Sequence, residues 1–307
     1  MSSTVYFLSD YGTQDEFVGV VHAILHSAVP SLTVIDLTHQ IPAFDVRAGA
    51  HALVRAVPYL GAGVVLAVVD PGVGTTRRGL CIEITESRSA PIYFVGPDNG
   101  ILIEPAELAG EAPITRAFAL ERDEQAGSVE PSGLSEPSGL GCTFDGRDLF
   151  APVAAALCRG VSAADLGEPV DLLSLVRLPG GVVEHGRLGD GRRYVRTEVL
   201  WVDRFGNAQL AATVADAREA GVPFVGTVGT GGSVGITGVT SVDESDPAGA
   251  AGAAGLTLRC VQAFADLEQA ELGLLVDANG HLAVVAGEAS AAHWLTVSAG
   301  DLVMLAW

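Results

Sequence analysis

Gly63-Val-Val-Leu-Ala-Val-Val-Asp70-Pro-Gly-Val-Gly-Thr-Thr-Arg77-Arg78 is the stretch that decides the fold. An apolar run with no polar alternation, stopped by a carboxylate, reads as a strand covered on both faces, as in parallel sheets. The glycines that follow let the backbone turn tightly and approach a ligand closely. The loop lacks the Gly-Lys-Ser/Thr ending of a phosphate-binding P-loop. Asp70 and Arg77, seven residues apart around it, either converge on one small species or form an ion pair that braces the loop.

The same grammar recurs on the N-terminal side. Val5-Tyr-Phe-Leu8 is a short apolar strand ending at Ser9-Asp10, and Thr33–Leu37 is β-branched and strand-like. Between them, Phe17, Val20, Val21, Ile24 and Leu25 repeat at helical spacing within 15–29. A second helix is predicted over 45–57, opened by an Asp. Alternating strands and helices predict an α/β domain with a mostly parallel central sheet. Ligands of such sheets sit beyond the carboxyl ends of strands, where Asp10 and Asp70 both fall. Asp10 is there either to accept hydrogen bonds from a ribose diol or to cap the next helix or turn.

Toward the C-terminus the pattern changes. Residues 121–141 hold a tandem Glu-Pro-Ser-Gly-Leu, at 130–134 and 136–140, and read as an inserted, mobile surface loop. A helix is predicted over 148–158, with Asp148 as its cap. After Pro179-Gly-Gly181, short strands at 194–202, 226–228, 256–261, 272–276, 281–285 and 302–305 alternate with Gly, Asp and Asn turns. They predict an all-β, barrel-like C-terminal domain. The expected division is 1–178 and 185–307.

Composition excludes several classes. Lys and Arg number 17 against 37 Asp and Glu, a net charge of −20, which argues against binding nucleic-acid phosphates. No apolar run is long enough to span a membrane and no secretory leader is legible, so a cytoplasmic chain is expected. The four cysteines form no CxxC pair, which argues against a zinc site or a disulfide framework. His22 and His26, at i and i+4, read as packing or surface residues rather than ligands, and no metal or cofactor is expected.

Two further motifs carry chemistry. Gly96-Pro-Asp-Asn-Gly100 reads as a structural turn. In Asp203-Arg-Phe-Gly-Asn207, Phe205 can stack on a base and Asn207 can pair with an adenine edge, unless the stretch is only a strand-ending turn.

Taken in order, Ser-Asp-x-Gly-Thr at 9–13, Asp-Pro-Gly-Val-Gly-Thr-x-Arg at 70–77, Gly-Pro-Asp-Asn-Gly at 96–100, Thr-Phe-x-Gly-Arg-Asp at 143–148 and Asp-Arg-Phe-Gly-Asn at 203–207 resemble the S-adenosyl-L-methionine (SAM) hydroxide adenosyltransferase family. These are adenosine-forming SAM hydrolases related to the bacterial SAM fluorinase and chlorinase. The resemblance implies an α/β domain plus a β-barrel-like domain, and a homotrimer with SAM held at subunit interfaces. It implies that Asp10 holds the ribose hydroxyls, Phe44 walls the pocket, and Asp203 faces the methionine amino group. Phe205 and Asn207 would hold adenine. Phe144 and Gly146 would line the substrate, as would Phe264, Ala278 and Glu288 in a more divergent segment.

The resemblance also implies that an Asp, an Arg and a His surround the attacking water. Asp70 and Arg77 match, whereas Asp145 stands where the family pattern has His. The related halogenases carry Tyr at the position of Asp70. A carboxylate there would repel a halide in a dry site and accept a proton from water instead. Hydrolysis of SAM at ribose C5′ is therefore expected, with a non-catalytic SAM or adenosine sensor, and then a halogenase, as the alternatives.

Overall fold

The computed structural model describes residues 4–85, 90–120, 143–222, 233–240 and 255–307. The 121–141 insertion and the strand expected at 226–228 lie outside these residues. The chain divides into two compact units between Leu178 and Pro179.

The first unit holds one sheet of seven strands: β1 (Thr4–Ser9), β2 (Thr33–Thr38), β3 (Gly63–Val68), β4 (Gly79–Ile84), β5 (Ile92–Pro97), β6 (Ala117–Leu120) and β7 (Gly167–Pro169), in the order β2-β1-β3-β5-β4-β6-β7. Strands β2, β1, β3 and β5 run parallel. The remaining half of the sheet, β4, β6 and β7, is antiparallel. Apolar alternation explains the layering. Val5 and Phe7 of β1 join Val64, Leu66 and Val68 of β3 in one buried cluster. That cluster also contains Val21 and Leu25 of helix α1 (Phe17–Ala28) and, from helix α4 (Ala151–Cys158), Ala154 and Leu157. Helices α2 (Val46–Ala56) and α3 (Ile103–Gly110) pack on each other and contribute nothing to that cluster. The Asp45 carboxylate accepts from Ala48 N at 2.9 Å and caps α2.

The helix after the insertion starts differently from expectation. The chain is already wound from Gly146, as one wide π-turn over Gly146–Phe150 that runs into α4, with Pro152 in the first turn of α4. Asp148 therefore lies inside the coil, and its carboxylate takes the neighbouring Arg147 guanidinium, Nε to Oδ1 at 2.5 Å, instead of capping amides.

The second unit is a barrel. Its strands are β8 (Val183–Arg187), β9 (Arg193–Val202), β10 (Ala208–Thr213), β11 (Ser233–Thr240), β12 (Leu256–Cys260), β13 (Leu272–Val276), β14 (His281–Ala286) and β15 (Leu302–Ala306). They follow the order β10-β14-β13-β12-β11-β15-β9-β8, and the β9–β10 pairing closes seven of them into a ring with β8 outside it. Pairing is antiparallel except between β12 and β13. Val199, Leu210, Val234, Leu258, Leu274, Val284 and Val303 fill the interior, as small barrels require. Helices α5 (Val214–Ala220) and α6 (Ala291–Leu295) each place buried alanines on that core. No described helix is long and apolar enough to cross a membrane.

Candidate active site

In the first unit β1 is flanked by β2 on one side and β3 on the other. The carboxyl ends of β1 and β3 thus border a topological switch point, where open α/β sheets bind ligands. Asp10 follows β1 and Asp70 follows β3. The two ends are tied by a backbone hydrogen bond from Asp10 N to Val68 O.

Asp70, Arg77 and Asp145 form one buried cluster there. Arg77 Nε and Nη2 donate to the two Asp70 oxygens at 3.1 and 2.5 Å. The same Nη2 donates to Asp145 Oδ2 at 2.6 Å. The Asp145 side chain is 2% exposed, that of Asp70 6% and that of Arg77 9%. The Arg77 guanidinium carbon also stands 5.4 Å from the Phe150 ring centroid, a distance at which the ring face attracts the cation. Burial holds the Asp70 carboxyl above its ordinary value; Arg77 opposes that shift and the Asp145 charge reinforces it.

The loop that presents Asp70 and Arg77 is braced from both ends by the Gly96–Gly100 turn. Asn99 Nδ2 donates to Val69 O at 2.8 Å, just before Asp70. Asp98, its side chain almost fully buried, accepts from Arg78 Nε and Nη2 at 3.0 and 2.5 Å, just after Arg77. The turn that reads as structural is therefore what fixes the spacing of Asp70 and Arg77.

Tyr11 lies beside the Asp70–Arg77–Asp145 cluster, within reach of its carboxylates, and is not singled out by the sequence. Its ring meets Phe144 edge-on at 5.5 Å and Phe17 at 5.7 Å. A β-carbon at Gly146 would collide with the Tyr11 hydroxyl, so glycine is required there. Burial pushes the phenol far up, and the carboxylates of Asp10, Asp70, Asp145 and Asp148 add to the effect. Tyr11 thus stays a neutral hydrogen-bonding group. A signal was available, since an aromatic in a polar motif is notable in a chain with only 6% aromatics.

Asp10 performs a local task as well as facing the crevice. Its Oδ2 accepts from Phe44 N at 2.9 Å, and Phe44 has a left-handed backbone, φ 68, a conformation that costs a non-glycine residue about 1–3 kcal/mol. The Phe44 ring is 71% exposed, an uncovered apolar wall.

In the second unit, the residues expected to contact adenine meet at a cavity of about 580 Å³, lined by Phe205, Asn207, Phe264, Ala286, Glu288 and Ser290. The size suits a small organic ligand. Asp203 builds the loop: its Oδ1 accepts from the Phe205 and Asn207 amides, both at 2.9 Å, and its Oδ2 from Asn207 Nδ2 at 2.8 Å. Gly206, at φ +84, packs so closely on Ser290 that a β-carbon would clash. Phe205 and Phe264 are both exposed. Ala278 is not among the described residues lining this cavity; it sits in the Asp277–Gly280 turn, at the opposite end of β14 from Ala286 and Glu288.

The described cysteines offer no ready nucleophile. Cys81, Cys158 and Cys260 are buried and unpaired, and burial pushes the Cys158 and Cys260 thiols up to about 11.

A mixed α/β sheet with a carboxylate–guanidinium cluster at its switch point, followed by a barrel with an aromatic-walled cavity, defines a two-unit enzyme acting on a small molecule. The chain belongs to the SAM hydroxide adenosyltransferase family: residues 5–167 match that family's N-terminal domain and residues 197–304 its C-terminal domain. It is 43% identical over 209 residues to the (R)-S-adenosyl-L-methionine hydrolase of Salinispora tropica, a match spanning 68% of this chain and 72% of that protein. The hydrolase of the same name from Thermus thermophilus is also 43% identical, over 66% of this chain and 72% of that one. A fluorinase of an Actinoplanes species is 24% identical over 56% of this chain and 60% of its own length. Among solved structures, an uncharacterized conserved protein from Thermotoga maritima superposes with a TM-score of 0.76 at 29% identity, covering 98% of this chain and 99% of that one.

Proposed function

We propose that this chain hydrolyses S-adenosyl-L-methionine by attack of water at the ribose C5′ carbon, giving adenosine and L-methionine. Family membership and the two hydrolases at 43% identity support the reaction. The observation that carries it is the buried Asp70–Arg77–Asp145 cluster at the switch point.

The sulfonium is itself a good leaving group, so the protein must mainly place water in line with the C5′–S bond and remove its shell. The water oxygen bonds to C5′ as the C5′–S pair leaves on the methionine sulfur. The water proton passes to the Asp70 carboxylate, whose raised affinity for protons suits it to general-base work. Arg77 fixes Asp70 through two hydrogen bonds and shares its charge with Asp145. Two carboxylates on one guanidinium leave the cluster one negative charge in excess, which favours a neutral nucleophile over a halide.

Asp10 serves the ribose diol in this scheme, since its Oδ1 has no partner among the described residues. Phe44 and Phe144 wall the pocket, and Gly146 admits Tyr11 to its floor. Phe205 stacks on adenine, and Asn207, oriented by Asp203, reads its edge. Asp203 Oδ2 also serves the methionine amino group, and Glu288 and Phe264 border the same cavity. The exposed rings of Phe44, Phe205 and Phe264 are consistent with a homotrimer in which copies complete each other's sites.

Incubating the purified chain with SAM, with and without chloride or fluoride, and separating the nucleosides tests the reading. Adenosine and methionine in equal amounts, insensitive to halide, are expected. A 5′-halo-nucleoside would make the chain a halogenase. Intact SAM bound one per chain would make it a sensor, a reading favoured by Asp145 in place of the family His and by the divergent segment around Glu288.

A further inference from the structure

Away from the carboxylate–guanidinium cluster, three side chains from three elements converge beside β1. His22 comes from α1, Asp36 from β2, and His39 from the turn after β2. His22 Nε2 lies 2.9 Å from Asp36 Oδ1 and His39 Nε2 lies 3.1 Å from the same oxygen. The three donor atoms all fall within 4.8 Å of one another. In a tetrahedral zinc site with bonds of about 2.0–2.1 Å, neighbouring ligand atoms stand about 3.3 Å apart. Both histidine–carboxylate distances are near that spacing, and the two imidazole donor atoms stand within 4.8 Å of each other.

The orientation of His39 is the second observation. Its side chain is 5% exposed, and its Nδ1 lies 2.8 Å from Ser9 Oγ. A hydroxyl on Nδ1 is the outer-sphere arrangement that turns Nε2 toward a metal. That Nε2 is buried and makes no hydrogen bond of acceptable direction, although Asp36 is near. The Phe7 ring, 4.5 Å from His39 and 6.1 Å from His22, backs the pair with an apolar surface. A bulge in the β1–β2 pairing between Phe7 and Leu8 sets the strand geometry beside Asp36. The half-exposed Asp36 and His22 leave a path to solvent.

We propose that His22, Asp36 and His39 bind a divalent transition-metal ion of the zinc class, with the fourth position open to solvent. Two imidazoles and one carboxylate favour such an ion over magnesium or calcium, which take oxygen ligands. The site holds the crevice in place: His39 O accepts from Gly12 N at 2.7 Å, and Ser9 Oγ from Tyr11 N at 3.3 Å. An ion here would therefore stiffen the Ser9–Gly12 segment that carries Asp10 and Tyr11. The proposal does not depend on the hydrolase reading.

The test is Co²⁺ titration of tag-free, chelator-stripped full-length protein, followed by visible absorption, with Zn²⁺ added as competitor. One equivalent of Co²⁺ with intense tetrahedral d–d bands, abolished by Zn²⁺, is expected. His22→Ala and Asp36→Asn should each weaken Co²⁺ binding by at least about tenfold, with circular dichroism unchanged. His26→Ala should bind as the parent does, because the His26 ring stands 6.3 Å from the His22 ring and is not one of the three clustered ligands. Absence of stoichiometric Co²⁺ and Zn²⁺ binding by the parent, or equal affinity in His22→Ala, would overturn the proposal.

Discussion

The carboxylates of Asp70 and Asp145, 75 residues apart in sequence, meet at a single nitrogen, Nη2 of Arg77, at 2.5 and 2.6 Å. One cation thus serves two anions in a buried site; burial raises the proton affinity of Asp70, Arg77 opposes the rise, and the Asp145 charge adds to it. The proposed chemistry follows from that imbalance.

Asp70→Asn keeps the shape and removes the base. It should lower kcat by about 10²-fold or more, with a much smaller change in KM. Steady-state kinetics beside a circular dichroism spectrum check it. An unchanged kcat would remove Asp70 from the mechanism.

The pH profile carries a sign. Asp70 works as the carboxylate, and its folded-state pKa lies above the ordinary value. The rate should therefore fall as pH drops through that raised pKa, above the range of a free aspartate. Asp145→Asn removes one charge that raises it, so the acid limb of kcat should move to lower pH. A limb that stays put, or moves up, would show that Asp145 does not act on Asp70.

Phe205→Ala should raise KM for SAM several-fold to about a hundredfold, since base–aromatic stacking is worth about 1–3 kcal/mol, while kcat changes little. The same variant should leave the melting temperature nearly unaltered, because the ring is 71% exposed.

Gly146→Ala places a methyl group against the Tyr11 hydroxyl. Overpacking of this kind costs about 1–3 kcal/mol. A lower melting temperature is expected, and Tyr11→Phe in the same chain should recover part of it. No recovery would mean that the clash lies elsewhere.

The first half of the sheet is legible in the sequence because buried parallel strands leave uninterrupted apolar runs, as at Gly63–Val68, each ending at the residue that matters. The antiparallel strand β4 has its apolar run broken by Glu83, and β6 and β7 hold only four and three residues, so the sheet reads as more parallel than it is. In the barrel, β10 is hidden by its alanines, Ala208 to Ala212. At the active site, Asp70 and Arg77 stand out because one loop holds both. The contact of Tyr11 with Gly146 joins distant segments, and no local spacing encodes it. Likewise, His22 and His26 look like an i, i+4 pair in sequence, while the partners of His22 come from the neighbouring strand and turn. Asp203 reads as a ligand contact, yet most of its capacity is spent on its own loop, as Asp side chains commonly do in turns.

The measurement that tests the central claim most directly is turnover of SAM in H₂¹⁸O with mass spectrometry of both products. Water attack at C5′ predicts ¹⁸O in the 5′-hydroxyl of adenosine and none in methionine. Adenosine without the label, or no adenosine while SAM remains bound, would contradict it.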